Sequence, residues 1–345
     1  MADISIITTH WNQYLNFFDK YRSDIYFTEE YVKLYENGND KAECFVYSES
    51  DQYFIFPYLK RKIESSTGEY YDFETAYGYG GPIANNSKSG FLENAYKNLY
   101  DALHENAFIA GFIRFHPIFN NFITASEFCD PRPDRKTVSI DLLQPEANIW
   151  NGIHSKHRNV IRKAESHGLK FRIDERMDNI ETFIKIYHGT MDRLAAPKFY
   201  MFSKEYFLNL KNKLPGLAFI AEVMLEDRVI SSALFLKYGI YAHYHLAGSI
   251  EECKKYYPNN FLLYMAALHL KKNCYERLHL GGGSDNDTEN KLYKFKKRFS
   301  RSEHDFYIGK IVVNSELYSK ICDDWEALFP EKKEKYAKLI LKYRY

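Results

Sequence analysis

Apolar positions along the chain switch repeatedly between helical spacing and near-strict alternation, so helices and strands alternate and the class is α/β or α+β. Trp11, Tyr14, Leu15 and Phe18 fall on one helical face, and residues 29–35 read as a second helix. Strand-like runs at 44–48 and 53–59 flank a polar turn, Glu49-Ser50-Asp51. An aromatic, glycine-rich stretch over 70–82 precedes a helix at 89–106 and a strand at 109–115. The second half repeats this order: a short strand at 169–173, helices at 180–194 and 204–214, then strands at 218–225 and 229–236. A strand at 241–247, a helix at 260–272 and a strand at 277–280 complete it. Between the halves, Cys129-Asp130-Pro131-Arg132-Pro133-Asp134 reads as a turn-rich crossing, followed by a basic helix over 147–166. The shared order predicts duplicated domains, 1–145 and 146–345.

Composition narrows the class. The 345 residues suit two domains, and the 47 Lys+Arg against 46 Asp+Glu leave a net charge of +1, against a whole-surface nucleic-acid binder. Aromatic residues reach 17%, and such amphipathic rings suit long grooves as well as cores. The five cysteines are scattered without a CxxC pair, as expected of a reducing cytosol. No apolar run is long enough to span a bilayer and no secretion signal opens the chain, so the expected location is cytoplasmic.

Candidate chemistry concentrates near the end of the second half. Leu280-Gly281-Gly282-Gly283-Ser284-Asp285 follows a strand, and glycines there let the backbone approach a ligand or take positive φ. Next comes Leu292-Tyr293-Lys294-Phe295-Lys296-Lys297-Arg298-Phe299. Leu292, Phe295 and Phe299 share a helical face, and Lys296 is the cation closest to it. A cation so placed could stabilise an oxyanion or a phosphate. From Lys291 to Arg301 there are six basic residues and no acid, and Lys156, Arg158, Arg162 and Lys163 form a second basic island. Both point to a polyanionic ligand such as a nucleotide diphosphate, coenzyme A or tRNA. Over 70–82, five Tyr or Phe rings surround Gly78, Gly80 and Gly81, a wall able to cradle a sugar or peptide; Arg114 and His116 close the next strand. His243 and His245 share a strand face with Tyr241. His154 and His157 are poor metal candidates, and no metal site is expected. GxSxG, HExxH, Walker A and GxGxxG motifs do not occur.

The ordered set Tyr77-Gly78-Tyr79-Gly80-Gly81-Pro82, Lys156-His157-Arg158-Asn159-Val160-Ile161-Arg162-Lys163-Ala164, Leu280-Gly281-Gly282-Gly283 and Phe295-Lys296 with Phe299 resembles the FemABX-like branch of the GNAT superfamily over nearly the whole chain. That resemblance implies two tandem GNAT-like domains, each a mixed, mostly antiparallel twisted sheet flanked by helices, with an acceptor groove between them. It implies amide formation between an activated acyl group and an amine, without a covalent enzyme intermediate. It places Phe295-Lys296 at the reaction centre and Arg193 against an acceptor phosphate. With it go Tyr77, Tyr79, Gly80, Gly81, Arg114, Arg158, His245, Gly281, Gly282, Gly283 and Asp285 as candidate substrate-binding residues. The chain departs from the pattern twice. The long coiled-coil arm of cross-bridge enzymes is missing, and the turn Lys254-Lys255-Tyr256-Tyr257-Pro258-Asn259-Asn260 lacks the glycines that usually cradle coenzyme A.

The expected function is an N-acyltransferase acting on an amine of a cell-envelope or polysaccharide precursor, such as a peptidoglycan intermediate, either small and soluble or lipid-linked. Acyl-CoA or aminoacyl-tRNA would serve as co-substrate, with no tightly bound cofactor, no DNA partner, and peripheral membrane association as the only membrane contact. The alternative is a catalytically silent tandem module that binds a phosphorylated glycan or peptide. One transferase centre is expected, in the second domain.

Overall fold

The computed structural model describes residues 2–64 and 68–345. The first elements are β1 (Ala2–Ile7), α1 (Asn12–Leu15), α2 (Glu29–Val32), β2 (Lys41–Glu49), β3 (Gln52–Ile63), β4 (Tyr70–Glu74) and β5 (Ile83–Ala84). Then come α3 (Ser89–Glu105), β6 (Phe108–Arg114), β7 (Asp130–Asp141), α4 (Glu146–Gly152), α5 (Ser155–Ser166), β8 (Lys170–Asp174), α6 (Ile180–Arg193) and α7 (Lys204–Lys213). The chain continues through β9 (Ala218–Leu225), β10 (Arg228–Tyr238), β11 (Tyr241–Ser249), α8 (Pro258–Lys272), β12 (Arg277–Gly282), α9 (Lys291–Lys297), β13 (Ser302–Val312) and α10 (Ser315–Leu328).

These elements form two compact units, one of residues 1–134 with 306–345, the other of residues 135–305. In the first, the strand order is β1-β2-β3-β4-β6-β13, with β5 on β3, and among the strands of the described residues only β4 and β6 run parallel. In the second, the order is β8-β9-β10-β11-β12-β7, and only β11 and β12 run parallel. The two orders coincide strand for strand, except that each sheet takes its last strand from a distant part of the chain. Strand β13 joins β6 rather than following β12 into its sheet, so residues 306–345 belong to the first unit instead of ending a domain at 146–345.

Local physics explains the elements that differ from their sequence patterns. Trp11, Leu15 and Phe18 are buried as expected, but the helix is one turn long. Phe17 N–H and Phe18 N–H bond carbonyls three residues back, and Asn16 and Phe17 are weak helix formers. The basic helix over 147–166 is two helices, because Ile153 turns into the core and His154 N–H donates to the Arg298 carbonyl at 2.8 Å. The crossing at 129–134 is mostly strand β7. Pro131 and Pro133 alternate, so both missing donors fall on one strand edge, and proline's φ is compatible with extended chain.

Each unit has its own apolar core. In the first, α3 lays Phe91, Ala95, Tyr96, Leu99 and Leu103 on the sheet beside Phe54, Phe56, Phe73 and Phe108. In the second, Ile161 and Ala164 of α5 meet Phe261, Leu262, Ala266 and Leu270 of α8 over Phe219, Phe235, Leu278 and Leu280. The 17% aromatic content is thus in large part core, since Tyr31, Tyr47, Tyr58 and Tyr187 are all under 2% exposed.

Candidate active site

The site is built where two strands of the second unit part. Among the described residues, β11 and β12 pair only through Tyr241 with Arg277, Ala242 with Leu278 and His243 with His279. Beyond them β11 continues to Ser249 and β12 to Gly282, leaving a wedge between strands whose backbones no longer bond each other. Bulges accompany the parting on both sides. On β11, Tyr244 pairs with Phe235 and Leu246 with Leu234, so His245 is the extra residue. On β12, Leu280 is extra against β7, and Gly281 takes φ 73°, where a side chain would be strained.

The Lys296 side chain bridges this wedge. Its Nζ donates to the Gly282 carbonyl of β12 at 2.7 Å and lies 6.0 Å from the Tyr244 ring centroid of β11. Lys296 is only 8% exposed. Burial, and then the charge of Arg135, pushes its ammonium from the ordinary 10.5 down to about 7. Arg135 reaches the same loop, donating to the Gly283 carbonyl at 3.0 Å. A primary amine that exchanges its proton near neutrality can act as a cation toward a developing oxyanion and as an acid or base within one cycle.

Sequence dictates how α9 presents that lysine. Asn290 caps the helix, its Oδ1 accepting from Leu292 N–H at 3.0 Å and Tyr293 N–H at 3.1 Å. Its amide also donates to Ser284 Oγ and Asp285 Oδ2, at 2.7 and 2.9 Å. The Asp287 N–H, then Asn290 and Ser284, hold Asp285 below its ordinary range, so this exposed carboxylate shapes the loop entering α9. The buried face of α9 differs from the predicted stripe: Leu292 is 44% exposed, while Tyr293, Lys296 and the following Phe299 are buried. The Tyr293 hydroxyl bonds Glu303 and turns the short helix accordingly. Phe295 packs against the core, with His157 of α5 seated against both Phe295 and Phe299. His157 Nε2–H donates to the Phe295 carbonyl at 3.1 Å, and burial pushes that imidazole down to about 4, so it stays neutral and holds α9 in place.

The start of α8 is the second feature. Tyr257 adopts φ 57°, ψ 41°, a left-handed conformation uncommon for an aromatic residue, immediately before Pro258 at the first helical position. The glycine missing from this turn is therefore replaced by a tyrosine with glycine-like backbone. The first ladder bond joins Phe261 N–H to the Tyr257 carbonyl at 3.3 Å, so the N–H groups of Asn259 and Asn260 precede it. With Lys254 and Lys255 just upstream, this helix start has the polarity to meet a phosphate.

Other candidate residues lie elsewhere. His245 turns away from Tyr244, its Nε2 3.1 Å from the Tyr206 hydroxyl of α7, and burial with neighbouring His243 pushes it down to about 3. His243 instead lies 5.5 Å from the His279 ring. Arg158 donates to the Asn151 and Ile153 carbonyls, closing the end of α4. Arg193 donates to the Ser249 carbonyl at 3.1 Å and pairs with Glu251 at 2.6 Å, tying α6 to the end of β11.

In the first unit, Arg114 pairs with Glu74 at 3.1 Å and donates to the Thr75 carbonyl. Burial disfavours the Glu74 charge, but Arg114 and Arg61 overcome it and hold the carboxyl below its usual range. Tyr79 stands edge-on to Tyr26, His116 and Phe306. The Tyr77 carbonyl accepts from the Tyr31 hydroxyl, and a Cβ at Gly81 would come within 2.9 Å of Phe115. The Gly80 carbonyl accepts from Asn121 at 2.8 Å. These contacts give the aromatic-glycine stretch a packing role.

Sequence reasoning missed Tyr244, Arg135 and Asn290. An Asn just ahead of an amphipathic run is a legible cap signal. Tyr244 carries no local signal that sets it apart from the histidines flanking it, and neither does Arg135. The Gly282 contact yields a test. A Cβ there would lie 2.7 Å from the Lys136 carbonyl, a backbone atom that cannot swing aside. Gly282→Ala is expected to move the carbonyl that holds Lys296 and lower kcat/KM about ten- to a hundredfold, with a smaller loss of stability. Unchanged turnover would show that this contact does not position the lysine.

Comparisons with known proteins agree with this geometry. A family model described as an acetyltransferase (GNAT) domain matches residues 153–297, which contain the wedge, α8 and Lys296. A UDP-N-acetylmuramoylpentapeptide-lysine N(6)-alanyltransferase from Weissella viridescens is 24% identical over 305 residues, 81% of this chain and 87% of that one. The crystal structure of FemX superposes with a TM-score of 0.70 at 14% identity, covering 92% of this chain and 99% of that one. A tandem GNAT protein from the clavulanic acid biosynthesis pathway superposes at 0.51 and 6% identity, covering 90% and 98%. At such identities the structural likenesses speak to the fold, which is the expected one. Residues 153–297 thus match the acetyltransferase (GNAT) domain family, and the chain as a whole is similar to the alanyltransferase and to FemX.

Proposed function

We propose that the protein forms an amide between an activated acyl or aminoacyl group and an amine of a cell-envelope precursor. The observation that carries this reading is the buried Lys296 ammonium across the wedge between Tyr244 and Gly282. The acceptor's amine lone pair attacks the acyl carbonyl carbon, a C–N bond forms, and the carbonyl oxygen gains the negative charge. Lys296 stabilises that charge in a site with little competing water. Collapse breaks the bond from the acyl carbon to the sulfur of a thioester or to the ribose oxygen of an aminoacyl ester, and that leaving atom takes up the proton the amine loses. The phosphate-compatible start of α8 suits either donor. The name of the Weissella relative supports an amino acid as the group moved and a peptide lysine as the acceptor.

The test incubates the full chain with acyl-CoA or aminoacyl-tRNA and a muramoyl-peptide precursor, and reads the acceptor mass. A gain equal to the transferred carboxylic or amino acid less one water is expected, and its size names the group. No product from any pair, alongside thermal stabilisation by the nucleotide-sugar precursor alone, would overturn the reading in favour of a binding module.

A further inference from the structure

We propose that Arg277, Ser139, Ser302 and His304 form a subsite for a carboxylate of the acceptor. The inference rests on the amide-forming reading above and adds to it the chemistry of a second group on the acceptor. All four residues lie in the second unit, where Ala242 of β11, Leu278 of β12 and Val138 and Ile140 of β7 point into the core beneath α5 and α8. Side chains alternate along a strand, so His243, Arg277, His279 and Ser139 project from the opposite face of the sheet.

Arg277 carries the inference. It is half-buried, yet among the described residues its side chain makes one hydrogen bond, from Nη1 to Ser139 Oγ at 3.3 Å, and no ion pair. Arg61, Arg114, Arg193 and Arg344, by contrast, each face a carboxylate. Asp141 stands across from Arg277 in the strand register, but its Oδ1 accepts from Leu143 N–H at 3.0 Å and serves the loop that follows. A guanidinium keeps its charge when part of its water is removed, so one without a fixed counterion is a receptor for an anion.

The groups beside it complete the cradle. Ser139 is fully buried, and its hydroxyl donates to Ser302 Oγ at 3.3 Å. With its one proton so used, Ser139 Oγ accepts from Arg277 and from His304 Nε2–H, which lies 2.8 Å away. Two N–H donors and two hydroxyls thus converge on one point, and the guanidinium fork can take both oxygens of a carboxylate there. One guanidinium with no lysine among these groups matches the single charge of a carboxylate rather than the larger charge of a diphosphate. Strand β12 links the subsite to the reaction, running five residues from Arg277 to Gly282, whose carbonyl holds Lys296. That is about 16 Å of extended chain, so an acceptor reaching both is extended, as a peptide bearing an amine and a carboxylate would be.

Calorimetric titration of the full chain, with no acyl donor present, tests this. The probe is a UDP-N-acetylmuramoyl-pentapeptide with its terminal carboxylate free or amidated. Amidation is expected to weaken binding about tenfold or more, the loss of one charge-assisted contact. Arg277→Gln should weaken the free acid by the same factor and leave the amide unchanged, with a melting temperature within about 2 °C of the parent. Arg277→Lys, which keeps the charge but not the fork, should fall between them. Equal binding of acid and amide by the unmodified chain would overturn the proposal, as would no binding of the acid. An Arg277→Gln loss that is the same for both probes would overturn it too, and would assign the guanidinium to a phosphate. Acylation is measured separately from this equilibrium, so failure of the amide-forming reading and failure of the subsite are distinguishable.

Discussion

Lys296→Met is expected to lower kcat/KM by about a hundredfold or more, the cost of losing one preorganised contact to the oxyanion, ~3 kcal/mol. The same substitution is expected to make the protein more stable. The Lys296 pKa falls from 10.5 in the unfolded chain to about 7 in the fold, so between those values the unfolded state binds the extra proton. Native stability therefore rises with pH across that window, and the full cost of burying the charge is felt below pH 7. Methionine removes this cost but leaves the Gly282 carbonyl without its donor. The net gain is expected to be ~2 kcal/mol at pH 6, or about 5 °C in Tm, shrinking as pH approaches 10.5. Activity should show a descending limb near pH 7 as the ammonium is lost, and Lys296→Arg, which keeps its charge, should shift that limb upward. Melting and pH–rate curves check each part. A variant that loses activity and melts lower at every pH would mark Lys296 as a structural cation instead.

Gly111→Ala is expected to be the most destabilising single-methyl change in the first unit. Gly111 lies mid-strand in β6, opposite Phe73 of β4, and a Cβ there would stand 2.0 Å from Phe73 Cζ. The ring cannot withdraw, because Phe73 is fully buried between Phe56, Tyr58 and Phe108. Overpacking of this kind costs roughly 3 kcal/mol, a fall of about 10 °C in Tm. Combining Gly111→Ala with Phe73→Leu should recover part of the loss, a non-additivity that a double-mutant cycle measures directly. Strict additivity would show that the clash is not the cause.

Much of the site was legible because it is local. An apolar helical face next to basic residues marked Lys296 as the cation drawn inward, and the structure buries it. The faces of that helix were less legible. Periodicity alone turns Leu292 inward, yet Tyr293 occupies that place because Glu303, ten residues on, supplies a partner for its hydroxyl. The aromatic wall over 70–82 read equally as ligand cradle or core, and Tyr79 and Gly81 are held by rings and side chains of their own unit.

The sequence by itself determined the elements and their repeated order, since periodicity, turn residues and caps act within a few positions of each other. The hairpin turns at Glu49-Ser50-Asp51 and Glu226-Asp227-Arg228, the glycine-terminated strand and the Asn290 cap are all of this kind. Only the tertiary structure decided which strand closes each sheet, since β13 joins β6 and β7 joins β12 through hydrogen bonds that any extended segment could offer. It also decided where β11 and β12 separate, which side of the bulge Tyr244 and His245 take, and that Arg135 reaches the Gly283 carbonyl. Those outcomes depend on neighbours tens to hundreds of residues away. The lowered proton affinity of Lys296 depends on them as well, because desolvation is a property of the packed site and not of the helix that carries the lysine.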